Sequence, residues 1–113
     1  MINVSAILGA AKVVLSAFWA AVKNFILDAV KKVAQVLGGA AVDAVTLFVR
    51  ESSDGLYEVA YNYVKQAERY LEKVVTKRIN KEDLPGNIKV RLNSSSSNEV
   101  DITNDFAKEL HLS

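Results

Sequence analysis

From Ser5 to Leu37 the polar positions recur in steps of three and four: Ser5, Gly9, Lys12 and Ser16, then Lys23, Asn24, Asp28, Lys31 and Gln35. Ser5 to Ser16, Lys12 to Lys23 and Asn24 to Gln35 are each eleven apart, and that repeat keeps one polar stripe aligned along a nearly straight helix. The pattern predicts one long helix or two nearly continuous ones, apolar over well more than half the circumference. Strand alternation is absent from this stretch, and its many alanines favour helix despite the valines. Gly38-Gly39 is the natural stop, because glycine adopts the left-handed conformation that ends helices. Ala40 to Arg50 then resumes the helical pattern, with Asp43, Thr46 and Arg50 on one stripe.

Ser52-Ser53-Asp54-Gly55 is the next punctuation, with Ser53 or Asp54 as the expected N-cap of a second long helix. Leu56, Ala60, Tyr63, Ala67, Tyr70 or Leu71, and Val74 follow at alternating steps of four and three, the seam of an amphipathic helix. Glu58, Lys65, Glu68, Arg69, Glu72, Lys73 and Lys77 fall on its other, solvated faces. Leu84-Pro85-Gly86-Asn87 reads as a type II turn. Ile88, Val90 and Leu92 alternate with basic residues, while Val100 and Ile102 alternate with Glu99, Asp101 and Thr103, so a hairpin is expected with the four serines in its loop. A short terminal helix follows, carrying Phe106 and Leu110 on one face.

The expected fold is therefore mainly α. A long apolar N-terminal helix packs with one short and one longer amphipathic helix, followed by a small C-terminal β-hairpin and a short terminal helix. All of it is one domain over 1–113, divided into an apolar helical region (1–50), the amphipathic helix (53–80) and the hairpin with its helix (87–113).

Charge and composition narrow the chemistry. Lys and Arg total 14 against 13 Asp and Glu, a net charge of +1, which gives no global reason to bind nucleic acid. Cysteine is absent, which removes disulfides and thiolate metal sites. The single histidine, His111, sits near the C-terminus and reads as part of a terminal turn rather than a general base or ligand. Glu82, Asp83, Glu99 and Asp101 fall in expected turns or exposed strand faces, where carboxylates are solvated. The glycines never form a phosphate-cradling spacing. Asn3-Val4-Ser5 and Asn93-Ser94-Ser95 match the glycosylation pattern by coincidence, since no secretion signal precedes them. No enzyme, cofactor, metal or small-molecule substrate is expected.

Lys73, Lys77, Arg78 and Lys81 form the one basic cluster, read first as cations favouring a helix C-terminus and only weakly as a phosphate contact. Lys12, Lys23, Asp28, Lys31, Lys32 and Asp43 interrupt every candidate membrane-spanning window, and a lysine at the centre of such a window costs about 2.5–3.5 kcal/mol. The start of the chain reads as mature protein, so a cytoplasmic or membrane-peripheral location is expected.

What remains is the apolar arc of Val14, Phe18, Trp19, Val22, Phe25, Ile26 and Val30. A helix hydrophobic nearly all round is buried in a larger core or in lipid. The leading expectation is a non-catalytic assembly protein that buries this arc in a homo-oligomer or in a protein partner. The alternative is a membrane-active or peripherally anchored protein that inserts the same helix.

Overall fold

The computed structural model, which describes residues 1–10, 12–66 and 69–112, corrects the mainly helical expectation: its centre is a five-stranded antiparallel sheet. In chain order the elements are β1 (Ile2–Asn3), α1 (Val4–Gly9), α2 (Ala17–Val36), β2 (Ala44–Ser52), β3 (Gly55–Gln66), β4 (Arg69–Ile79), a 3-10 turn (Lys81–Asp83), α3 (Gly86–Ser94), β5 (Glu99–Asp101) and α4 (Thr103–Glu109). The strand order is β1-β2-β3-β4, and β5 pairs with the same side of β2 as β1, farther along the strand.

Three expected elements change type. The short helix over Ala40 to Arg50 is instead β2, and the longer amphipathic helix is the β3–β4 hairpin; Ala67 and Glu68, which that helix included, lie outside the described residues. Both parities of β3 carry apolar or aromatic side chains, Leu56, Ala60 and Val64 on one and Tyr57, Val59, Tyr61 and Tyr63 on the other. A strand used on both faces loses its alternation, and Leu56, Ala60 and Tyr63 then imitate a helical seam. Its tyrosines and valines nonetheless suit a pleated surface. Asp54-Gly55 is a hairpin signal rather than a helix cap: Ser52 pairs with Gly55, whose φ is 155°, and the Tyr57 hydroxyl donates to Asp54 at 3.0 Å.

The C-terminal hairpin is also absent, because its first strand is the helix α3. Ile88 and Leu92, four apart, are both buried, whereas Val90 between them stands exposed in solvent. That is helical spacing, with Val90 alone making it resemble an alternating strand. β5 pairs with β2, not with Ile88–Leu92.

The long N-terminal helix is interrupted over residues 12–16, so α1 and α2 are separate. α2 ends at the paired glycines: Gly38 N–H donates to Gln35 O at 3.2 Å and Gly39 N–H to Ala34 O at 2.7 Å, with φ of 71° and 92°. These two bonds satisfy carbonyls that the helix end would otherwise orphan.

The helices pack on one face of the sheet. Val45, Leu47 and Val49 of β2 and Leu56, Ala60 and Val64 of β3 meet Trp19, Val22, Phe25, Ile26 and Val33 of α2, joined by Ile88, Leu92, Phe106 and Leu110. Trp19 stacks on Phe106 at 6.1 Å, and Phe18 meets Trp19 edge-on at 5.0 Å. The polar stripe of α2, Asn24, Asp28, Lys31 and Gln35, faces solvent. Between β1 and β5 the Leu47 carbonyl of β2 accepts from Ile102 N–H at 2.9 Å, and Thr103 serves the Leu47 N–H, which donates to Thr103 Oγ1 at 2.9 Å while that hydroxyl donates to Leu47 O at 3.3 Å.

Candidate functional site

The residues expected at an interface separate into two groups. Trp19, Val22, Phe25 and Ile26 are buried in the chain's own core, Phe18 and Val30 pack partly against it, and Val14 is 94% exposed in the segment before α2. The sheet and the C-terminal helices thus cover most of the arc that demanded a partner.

The basic cluster is divided by strand parity. Lys73 and Lys77 pair with Asn62 and Glu58 and so share the helix-bearing face of β4 with Leu71, Val75 and Ile79. Arg78 pairs with Tyr57 on the opposite face. Lys81 lies beyond the strand in the 3-10 turn, 3.4 Å from Glu51. Lys73, Lys77 and Arg78 lie within a strand and have no helix C-terminus to favour, which corrects that reading for them.

β4 is the outermost strand, and among the described residues no strand pairs with its outer side. α2 runs alongside it in the opposite sense, and three hollows lie between the two. The first, about 450 Å³, is walled by Phe18 and Ala21 of α2 with Glu58, Lys77 and Ile79. The second, about 300 Å³, lies between Asn24, Phe25 and Asp28 and the stretch Val75 to Lys77. The third, about 190 Å³, is walled by Lys32, Val33 and Val36 with Lys73, Val74 and Val75. Neighbouring hollows share residues, Lys77 joining the first to the second and Lys32 and Val75 the second to the third, so they form one groove along β4.

Two buried polar atoms along the helix-bearing face have no partner, Glu58 Oε2 and Asn62 Oδ1. Asn62 is satisfied through its other end, donating from Nδ2 to Lys73 O at 3.1 Å and to Ala60 O at 3.3 Å. Glu58, placed on the helix-bearing face by the parity of Leu56 and Ala60, is 3% exposed. Burial raises its carboxyl from 4.5 to about 7, against the pull of the Lys77 ammonium. Sequence spacing had assigned Glu58 to a solvated helix face; its i±2 neighbours Leu56 and Ala60 were the signal, readable only once the segment is known to be a strand.

The face without helices carries Tyr57, Tyr61, Tyr63 and Tyr70 together, not divided between two sides as a helix would place them. Several of its polar tips bond to one another: Arg50 donates to Glu99 at 2.7 Å and to Tyr61 Oη at 2.8 Å, which raises the guanidinium pKa further, and Tyr63 and Thr46 hydroxyls lie 3.2 Å apart. Phe48 meets Tyr61 edge-on at 5.3 Å. His111 adopts a left-handed φ of 60° at the end of α4. Among the described residues no His, Asp and Glu cluster could hold a metal ion.

Comparison with protein-family models, curated proteins and solved structures finds no match for this chain.

Proposed function

We propose that this chain is a non-catalytic interaction module that takes an extended, acidic segment of a partner protein along the outer edge of β4. The observation that carries the reading is the coincidence of an unpaired eleven-residue strand with a groove running beside it. An open edge offers backbone donors and acceptors to an incoming strand, and the flanking groove selects its alternate side chains. On the groove side, β4 presents Leu71, Lys73, Val75, Lys77 and Ile79 in turn. The matching segment alternates, every second residue, between apolar and acidic side chains opposite these positions.

A second copy of this chain fits less well. A twofold pairing that sets Leu71 against Ile79 also sets Lys73 against Lys77, and like charges directly opposite are destabilising. Edge lysines also discourage indiscriminate pairing, which leaves an acidic strand as the favoured occupant. Most of the large apolar residues of α2 pack against the sheet, which favours a protein partner over a lipid one; among the described residues no helix is long and apolar enough to cross a membrane.

The test is an NMR titration of the full chain with a synthetic peptide alternating Val and Asp on one face, beside the same peptide with Lys in place of Asp. Amides of β4 and α2 should shift with the acidic peptide alone, and the double variant Lys73→Glu, Lys77→Glu should reverse that preference. Equal response to both peptides, or none along β4, would sink the proposal.

A further inference from the structure

At its Phe18 end the groove deepens into the hollow of about 450 Å³ over Glu58, a volume within the roughly 300–1,000 Å³ typical of small-molecule sites. This hollow differs from the rest of the groove by holding a buried carboxyl with an unpartnered oxygen. Lys77, directly across the strand pair from Glu58, makes no ion pair with it. Asp83 of the 3-10 turn is a second carboxyl in the lining. Arg78 also touches the wall, but its register sends the side chain to the opposite face, beside Gly55. The lining thus offers two carboxyls and one ammonium, beside an apolar wall of Ala17, Phe18, Ala21 and Ile79.

We infer that this hollow binds a small organic primary amine, whose ammonium donates to Glu58 while its apolar body lies against Phe18, Ala21 and Ile79. An ionised carboxylate only accepts hydrogen bonds, and burying one is costly unless donors and a counter-charge arrive together. An ammonium supplies both. A neutral alcohol of the same shape supplies a donor without the charge, and a carboxylic acid would meet two carboxyls. Binding requires Glu58 ionised, so affinity rises from pH 6 to pH 8. The charged groups lining its hollow are Lys77 of β4 and Asp83 of the turn; α2 contributes Ala17, Phe18 and Ala21, and β2 sets Val49 beside it.

Phenethylamine and phenethyl alcohol, titrated separately into the full chain and followed by NMR, test this site. The amine should bind about tenfold or more tightly than the alcohol, as a charge-assisted hydrogen bond does relative to a neutral one. Its shifts should centre on Phe18, Ala21, Glu58 and Ile79, and Glu58→Gln, with its amide spectrum retained, should remove the advantage. Equal affinity for the two compounds, undiminished amine binding by Glu58→Gln, or no response to millimolar amine would overturn the inference. Each of those results leaves the acidic-peptide titration along β4 to be judged on its own.

Discussion

Thr103 closes a gap that the strand pairing leaves open, holding both the N–H and the carbonyl of Leu47 through one hydroxyl. Thr103→Val keeps the shape and removes the hydroxyl, leaving a buried N–H unpaired at a cost of about 1–3 kcal/mol. Chemical denaturation should show that loss, and a change within experimental error would mean that Leu47 finds another partner. Glu58 makes the opposite kind of prediction. Its folded pKa, about 7, lies above its ordinary 4.5, so the stability linked to its protonation is fully present below the unfolded value and is lost as pH rises through about 7. Glu58→Gln should flatten that decline and stabilise the chain at pH 8 by on the order of 2 kcal/mol, a figure already reduced for partial solvent screening. Urea midpoints measured at pH 5 and pH 8 check the sign. Neither role was legible from residue type: an isolated Thr and an isolated Glu carry no pattern until a strand's parity says which way they face.

Among the elements, α2 was the most legible and the β3–β4 hairpin the least. The exposed stripe of α2 and its glycine stop follow from local spacing and local backbone preference, which need no knowledge of the rest of the chain. β3 and β4 are stabilised by each other over registers from Leu56–Ile79 to Gln66–Arg69, a non-local pairing that no short window records. At the other end, α4 closes with His111 N–H donating to Lys108 O at 2.9 Å and Leu112 N–H to Ala107 O at 2.9 Å. His111 occupies the left-handed position that glycine takes at low cost. Replacing His111 with glycine should therefore raise the melting temperature, with a gain of about 0.5–1 kcal/mol; a fall would show that the imidazole contributes contacts of its own.

At the scale of the molecule, the question raised by the apolar arc has a largely internal answer: the sheet, α3 and α4 cover most of it. The chain alone should therefore give the mass of one copy in light scattering coupled to size exclusion. A discrete dimer, tightened by Lys73→Glu alone because that change sets opposite charges across a twofold β4 pair, would move the β4 interface from an acidic partner to a second copy.

The sequence by itself determined the helical stripe of α2, its stop at Gly38-Gly39 and the inward Phe106–Leu110 face of α4, because those features depend on neighbours within about one or two helical turns. Only the tertiary structure decided that Ala44–Ser52, Gly55–Gln66 and Arg69–Ile79 are strands, that α3 is a helix, and that Glu58 lies buried at the hollow Phe18 also lines. Those outcomes rest on cross-strand pairing and on which face meets α2, and the same apolar residues satisfy more than one local period until that contact is made.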